Sequence, residues 1–532
     1  MQTAPVTPSD SQGSNAGSGS HRRLVGAAAI IALGNLLSRG LGLLRDVVIA
    51  FTFGAAASTD AFVLARTVPS ILYDLLVGTV NTAAFVPVFV QVQHARDERQ
   101  FWRLVGAIFS LAGLAFVSLA AVLALFTEPL VAIIGTGLSS DAERALAVNL
   151  MRIALISVVF QGLAGVLTAA LYAQNRFTLP AFATAIYNVG IIVAVLLLAR
   201  PLGPPAMAVG LVLGALAQFL LQASGLAPFW RAYRPRIDLA DPGVRRILAL
   251  AGTVAAGLVV SAAGQLIDRN LALRQPEGSL SSMEYATRIY QFPLGIVGLA
   301  VSYAILPTLS RFSDDARGSA AGYREALLFG LKLVLLLMLP AFVLLAVLRA
   351  PLVALVFEHG AFQSADTQRT AAILLFYSPQ LPLTAIDYLL INAFYARQNA
   401  RTPVLVGVVC VVIYVGVALA TIGALQARGL ALANAVQNSS HALILLFLLR
   451  RSIPGLRLIS ALLPFLARVI PAAAIVGGLL MVAWPYLSPL GGLVGLTVAG
   501  ITASLVYVAL LHALGVPEMR AVVALVRARL PA

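Results

Sequence analysis

The chain has 532 residues, of which 60% are hydrophobic and only 11% are charged, with a mean hydropathy of +0.93. Soluble globular proteins carry about 25% charged residues, so this composition excludes an ordinary soluble protein and predicts an all-α polytopic membrane protein. The apolar runs are too long and alternate too little for a transmembrane β-barrel.

The formal charge of +15 comes almost entirely from arginine. The arginines fall mainly between the apolar stretches, which is typical of membrane topology and attraction to anionic lipid, so we predict no nucleic-acid binding. The single cysteine, Cys410, lies in an apolar run, and the five histidines are scattered. We therefore predict no disulfide, no metal site and no cofactor.

In chain order, residues 1–20 are small and polar, and they predict a disordered N-terminal tail. Fourteen apolar spans follow, separated by glycine, proline and charge clusters. The spans are predicted as helices over 24–53, 59–93, 101–126, 143–173, 178–200, 205–225, 243–274, 279–311, 321–348, 365–396, 403–424, 427–449, 460–484 and 488–513.

Arginines concentrate in alternate loops, which predicts a multi-pass membrane protein with both termini in the cytoplasm. The predicted regions are the tail 1–20, an N-lobe 21–225 with spans 1–6, a cytoplasmic linker 226–242, a C-lobe 243–450 with spans 7–12, spans 13–14 in 451–515, and a cytoplasmic tail 516–532. The arginines of that last tail favour an amphipathic surface helix.

The two lobes resemble each other at a nearly constant offset. Tyr172 and Tyr395 begin similar segments. Four further pairs of residues are all separated by the same number of positions, which is one more than the number that separates the two tyrosines. These pairs are Arg45 and Arg269, Gly54 and Gly278, Asp60 and Glu284, and Pro69 and Pro293. Because the offset spans six helices, it predicts two lobes related by a pseudo-two-fold axis along the membrane normal, with substrate between them and transport by rocking.

Charged side chains lie inside spans 1, 2, 7 and 8, where an ionised group costs about 2.5–3.5 kcal/mol at the bilayer centre. We predict that these spans line a water-filled cavity for a polar, anionic cargo. The charged residues are Arg39, Arg45, Asp46, Asp60, Arg66, Asp74, Asp268, Arg269, Glu284 and Arg288.

Each of these features has a structural alternative. Arg45 could pair with Asp46, and Arg288 with Glu284, so that the arginines only hold helices together. Asp60 and Glu284 could cap helix N-termini, and Asp268 and Arg269 could form a self-contained pair. Pro69 and Pro293 predict gating kinks, although membrane helices carry proline routinely.

Three motifs resemble the MurJ/MviN lipid II flippases of the multidrug/oligosaccharidyl-lipid/polysaccharide exporter superfamily. Ser38–Asp46 (SRGLGLLRD) is similar to the family's S-R-x-x-G-x-x-R-D, and Tyr285–Gly295 (YATRIYQFPLG) and Phe394–Asn399 (FYARQN) resemble its later motifs. The resemblance covers residues 24 to 515. It implies a fourteen-helix fold of two lobes and a transporter rather than an enzyme.

The same resemblance implies an activity and a set of contacts. The family moves an undecaprenyl-pyrophosphate-linked disaccharide-pentapeptide from the inner to the outer leaflet of the cytoplasmic membrane. It implies that Arg39, Arg45 and Arg288 meet the pyrophosphate, since arginine binds phosphate through charge-assisted, bidentate contacts. Asp60 matches an acidic position of the cavity, and Ser281 matches a small polar position on span 8.

One stretch departs from the family pattern. The family usually has a pair of arginines after Pro69 and then Glu-Gly, whereas this chain has Tyr73-Asp74 and Gly78-Thr79. Arg66 or Arg269 is the candidate to replace the missing positive charge. The departure leaves open an exporter of another polyprenyl-linked glycan.

Three further classes of protein fit parts of the pattern. A multidrug or cation antiporter of the same fold needs an anionic cavity, which the arginine surplus opposes. A membrane glycosyltransferase needs acidic clusters in a large loop, and the loops here are short. A scaffold for cell-wall synthesis proteins would leave the arginines structural.

The sequence contains no GxxxxGK[ST] motif, which would indicate a nucleotide-binding P-loop. We therefore predict that transport is coupled to an ion gradient or to the membrane potential. The predicted partners are the lipid-linked glycan, membrane lipid and cell-wall synthesis proteins.

Overall fold

The computed structural model describes residues 14–95, 97–138, 140–298, 301, 305, 308–309, 320–453 and 455–519. Within these ranges the chain is almost entirely helical and contains no strand, which confirms the predicted all-α class. Ten of the described helical segments are long and apolar enough to cross a membrane. The chain divides into two compact units.

The first unit comprises Met1–Ile49, Leu64–Val131 and Ala145–Val259. Helices in the first half of the chain are α1 (Ser14–Phe53), α2 (Ala57–Tyr73), α3 (Val86–His94), α4 (Glu98–Leu125), α5 (Thr127–Ile134), α6 (Asp141–Ala173), α7 (Thr178–Leu202), α8 (Pro205–Ser224), α9 (Ala227–Ala232) and α10 (Pro242–Leu273). A π-helical segment, Asp74–Phe85, joins α2 to α3.

Aromatic packing in the first unit ties the predicted linker 226–242 to α4. Phe229 of α9 is fully buried, and its ring lies 5.7 Å from Phe109 and 5.7 Å from Trp102, measured between centroids. The Tyr233 hydroxyl is 2.8 Å from Ser110 Oγ. The start of the linker therefore packs against the first unit, because its aromatic side chains are buried against apolar side chains of α4.

The second unit comprises Ala50–Val63, Ala132–Arg144 and Val260–Ala532. Its remaining helices are α11 (Ser279–Pro293), α12 (Ala320–Val347), α13 (Arg349–Phe357), α14 (Ser364–Tyr377), α15 (Leu381–Ala396), α16 (Arg401–Leu425), α17 (Ala427–Ser452), α18 (Leu458–Leu487) and α19 (Gly492–Ala513). A π-helical segment, Leu294–Gly298, follows α11, and 3-10 turns over Ser378–Gln380 and Ser488–Leu490 follow α14 and α18.

The internal repeat is visible in the backbone conformation of each unit. Asn175 and Gln398, which are separated by the same interval as the two tyrosines of the repeat, both have positive φ, at 58° and 55°. Gly203 ends α7 at φ 64°, ψ −143°, and Gln426, at the same interval again, ends α16 at φ 54°, ψ −134°. A non-glycine residue with positive φ is uncommon. The recurrence of this conformation at one offset therefore supports the repeat seen in the sequence.

Both spans that were predicted to kink change their winding near the proline. The π segment Asp74–Phe85 begins shortly after Pro69, and the segment Leu294–Gly298 begins directly after Pro293. A proline inside a helix removes one i→i−4 hydrogen bond, and π-helical turns are common at functional sites. The use of these positions as gates stays a prediction.

The sequence misplaced some helix boundaries. α1 begins at Ser14, so Ser14–Ser20 is helical and does not belong to a disordered tail, because extending an existing helix costs far less than starting one. The short helices α5, α9 and α13 were not predicted, since each has fewer than ten residues and shows no periodicity of its own. Residues 1–13 and 520–532, and most of 299–311, lie outside the described residues.

Candidate functional site

Arg45 is held by a hydrogen-bonded group inside the first unit. Its Nε and Nη2 atoms donate to Asp46 Oδ1 at 2.9 and 2.8 Å, and its Nη1 donates to Asn188 Oδ1 at 3.1 Å. Asn188 Nδ2 donates in turn to the Ser38 carbonyl oxygen at 3.3 Å. The network fixes the guanidinium between α1 and α7, so its position is set by the packing of two helices.

The structural alternative stated for Arg45, an ion pair with Asp46, is thus confirmed. The structure also adds Asn188, which the sequence analysis missed. A lone asparagine within the apolar α7 was the available signal, since polar side chains in membrane spans are rare and seek partners. The other two arginines predicted for the site in this unit differ in exposure: Arg39 is exposed on α1, and Arg66 is half-buried on α2.

A second charged cluster lies in the second unit around Glu284 of α11. Glu284 Oε2 accepts from Arg269 Nη2 at 3.0 Å, and Glu284 Oε1 accepts from Arg288 Nη2 at 2.8 Å. One carboxylate therefore serves two guanidinium groups. The Asp268 carboxylate accepts from the hydroxyl of Tyr414 on α16, which the sequence analysis did not anticipate.

In every one of these ion pairs the carboxylate is the more buried partner. The side chain of Glu284 is 9% exposed, whereas Arg269 and Arg288 are 22% and 31% exposed. Arg45 is 11% exposed and Asp46 only 5%. The accessible side of each pair is therefore cationic, so both clusters can meet an anion without first exposing a carboxylate.

Asp60 of α2 caps a different helix. Its Oδ2 atom accepts from the Gly278 amide at 2.8 Å, and its Oδ1 accepts from the Ser281 amide at 2.7 Å. These two amides are the N-cap and third position of α11, which lack partners within their own helix. Asp60 is 5% exposed and Ser281 is fully buried. We call this contact the Asp60 cap.

The capping is reciprocal. Glu277, which precedes α11, accepts through Oε1 from the amide of Ala57, the first residue of α2, at 2.9 Å. The Ser281 hydroxyl donates to the Gly278 carbonyl oxygen at 3.2 Å. Helix capping was the structural alternative stated for Asp60, and the helix that it caps is α11. In this arrangement Asp60 and Ser281 satisfy each other.

Gly278 has to be glycine for two reasons. Its φ is +77°, and a Cβ placed on it would lie 2.1 Å from the Ala55 carbonyl oxygen. Backbone atoms cannot move aside cheaply, so we expect Gly278→Ala to abolish function in a complementation assay and to lower the melting temperature of the purified protein. Gly515 is the matched control, because it also has positive φ, at +64°, but open space around its Cβ position.

For Gly515→Ala we expect only the left-handed backbone penalty of about 1–2 kcal/mol, with function retained. Equal loss of function in the two variants would show that positive φ alone, rather than the close approach of Ala55, makes glycine necessary at position 278.

The helical fold, with its membrane-length segments and charged clusters, defines a polytopic membrane protein, and the relatives that the chain matches are flippases, a class of transporter. The chain matches the family model described as "Lipid II flippase MurJ" over residues 49–500 and belongs to that family. A "Probable lipid II flippase MurJ" of Haemophilus influenzae is 32% identical over 428 residues, which cover 77% of this chain and 83% of that protein.

Two solved structures share the fold. The structure titled "Lipid II flippase MurJ, inward closed conformation" matches with a TM-score of 0.76 at 24% identity, covering 91% of this chain and 98% of the other. An inward-facing multidrug resistance MATE family transporter of the MOP superfamily matches with a TM-score of 0.68 at 16% identity, covering 78% and 94%. The predicted all-α, polytopic membrane fold is thereby confirmed, and the count of fourteen spans in two lobes stays a prediction.

Proposed function

We propose that this protein flips lipid II, the undecaprenyl-pyrophosphate-linked peptidoglycan precursor, from the inner to the outer leaflet of the bacterial cytoplasmic membrane by alternating access. Membership of the MurJ family supports the cargo. The observation that carries the proposal is the burial order of the charged pairs, in which carboxylates lie inside and guanidinium groups face outward. Such surfaces favour an anionic headgroup over a cationic drug.

The proposed headgroup contacts are Arg39, Arg45 and Arg66 of the first unit and Arg269 and Arg288 of the second. A hydrogen bond to a charged group contributes about 1.5–3 kcal/mol, and the planar guanidinium matches two phosphate oxygens at once. Arg269 and Arg288 bind the same carboxylate and are more exposed than it is, so a pyrophosphate oxygen could approach both guanidinium groups.

We assign Asp60 and Ser281 a closing role and no direct contact with the headgroup. Both are buried and bonded to each other, so a ligand could reach them only after the Asp60 cap has broken. The π segments that follow Pro69 and Pro293 are the proposed bending points, because π winding weakens regular helix packing at a defined place.

The proposed topology places both termini in the cytoplasm, as the arginine distribution predicts. Cell-wall synthesis proteins are the proposed protein partners, because the flipped precursor has to be handed to them. Labelling of single cysteines introduced at Ser452 and Gly491, which flank opposite ends of α18, tests the orientation. We expect an impermeant reagent added outside intact cells to modify only position 491.

One observation favours a second cargo. Asp74, at the start of the first π segment, is exposed and places an anion where the family usually has a cation. This keeps an exporter of another polyprenyl-linked glycan as the alternative.

Depletion of the protein in its native cell, followed by mass spectrometry of the lipid-linked precursors, separates the two cargoes. Accumulation of lipid II with arrested wall synthesis supports the proposal. Accumulation of a different polyprenyl-linked glycan supports the alternative, and unchanged precursor pools would overturn both.

A further inference from the structure

A row of buried and half-buried polar side chains runs between α17 and the segment formed by α15 and the 3-10 turn before it, in the second unit and outside the charged clusters described above. Asn438 Nδ2 donates to Gln380 Oε1 at 2.6 Å and to Asn434 Oδ1 at 3.1 Å. One turn further along, His441 Nδ1 lies 2.7 Å from Asp387 Oδ1. We call this feature the polar row. It consists of Gln380, Thr384 and Asp387 on one side, which face Asn434, Asn438 and His441 on the other. The three residues of each side are spaced alike along the chain.

The polar row is too costly to be only packing. Gln380 is fully buried and Thr384 is 8% exposed, yet the Gln380 amide nitrogen and the Thr384 hydroxyl have no hydrogen-bond partner within the described ranges. An unsatisfied buried polar group costs about 1–3 kcal/mol. Polar and ionisable groups inside a membrane protein that are kept at such cost commonly mark an ion or proton pathway.

The geometry of His441 fixes how many protons the pair with Asp387 holds. His441 Nε2 lies 3.1 Å from the Pro403 carbonyl oxygen, which can only accept, so Nε2 carries a hydrogen. The short contact between Nδ1 and Asp387 Oδ1 requires another hydrogen between two atoms that would otherwise both be acceptors. The pair therefore contains one proton more than a neutral histidine beside a carboxylate.

We propose that Asp387 and His441 form a proton-binding site in the second unit, and that the bound proton holds α15 against α17. When the proton is present the pair is neutral overall, which suits side chains that are each only 13% exposed. Release breaks one N–H bond and transfers the proton to water. It leaves a neutral imidazole whose Nδ1 lone pair faces the Asp387 carboxylate at hydrogen-bond distance, so the two helices separate at this level.

Several titratable groups on the helices around the pair have partners of their own. Cys410 of α16 is buried and interacts electrostatically with the Asp387 carboxylate. On the remaining neighbours, Lys332 of α12 pairs with Glu518, Tyr323 of α12 donates to the Ala393 carbonyl, Tyr377 of α14 stacks on Tyr290, and Glu284 of α11 binds its two arginines.

Histidine-selective ¹⁵N labelling tests the site directly, because the chain has only five histidines. In the full-length protein in nanodiscs we expect one imidazole to keep both nitrogens protonated at pH 8, where exposed histidines are neutral. That signal should be absent in His441→Gln and should become a neutral imidazole in Asp387→Asn. His512→Gln, at an exposed histidine of α19, is the matched control and should leave it unchanged.

Retained signals from the other histidines would show that each variant is folded. The proposal is overturned if His441 loses its proton together with the exposed histidines, or if Asp387→Asn leaves its signal as in the wild type.

The consequence for transport rests on the proposed function and is measured separately. In proteoliposomes we expect an imposed pH gradient to change lipid II translocation by the wild type about fivefold or more, a typical size for linkage between two sites, and to have little effect on His441→Gln. An equal response of the two proteins would overturn the coupling. If the wild type moves no lipid II under any gradient, the proposed function fails while the NMR result still decides the proton site.

Discussion

Arg288→Ala is expected to lower lipid II translocation about 10- to 150-fold while the protein still inserts into the membrane. The estimate is the loss of one charge-assisted hydrogen bond to a phosphate oxygen, about 1.5–3 kcal/mol, where 1.4 kcal/mol is a factor of ten. Arg288 is 31% exposed, so its guanidinium is available to a ligand. Glu284 keeps Arg269 as a partner, which limits the structural cost of the substitution.

Translocation is measured with purified variants in proteoliposomes, and Arg288→Lys separates charge from geometry. Lysine keeps the positive charge but loses the planar fork, so we expect a smaller defect than in the alanine variant. Arg152→Ala is the matched control, because Arg152 also pairs with a carboxylate, Glu128, at 2.9 Å, but in an exposed site outside either cluster. Wild-type translocation by Arg288→Ala would rule out this arginine as a headgroup contact.

The fold class could be predicted from the sequence because membrane spans are read from local composition alone. Fourteen apolar stretches and a nearly constant offset, as between Arg45 and Arg269, were enough to predict the helical repeat. The boundaries were less predictable. Nothing in the sequence indicates that α2 and α11 change to π winding after their prolines, since the choice between a kink and a π segment depends on the helices that pack around the proline.

The partners of the charged residues were predictable only where they are close in sequence. Arg45 and Asp46 are adjacent, and Glu284 and Arg288 are one turn apart, so the structural alternative could be stated from the sequence. Asn188 and Tyr414 lie far along the chain from Arg45 and Asp268, to which they bond. Contacts at that separation depend on tertiary packing, which a single sequence does not display.

The Asp60 cap is expected to be the strongest single anchor of the α11 N-terminus. Asp60→Ala leaves the Gly278 and Ser281 amides without their acceptor, and each unsatisfied buried group costs about 1–3 kcal/mol. We expect the first turn of α11 to open in this variant. Cysteine labelling can detect the opening, because Ser279 is 2% exposed and the natural Cys410 is 1% exposed, so a cysteine introduced at position 279 reacts only once that turn has opened.

Purified Ser279→Cys protein should therefore react slowly with a maleimide, and Ser279→Cys combined with Asp60→Ala should react rapidly. Asp97→Ala is the matched control, since Asp97 accepts from the Gln100 amide at 3.0 Å but caps only the exposed start of its own helix. Losing such a local cap costs about 1 kcal/mol and should leave labelling at position 279 unchanged. Slow labelling in the Asp60→Ala background would mean that Glu277 and the packing of Tyr285 against Phe357 and Phe362 hold the α11 N-terminus without Asp60. The closing role assigned to this carboxylate would then be wrong.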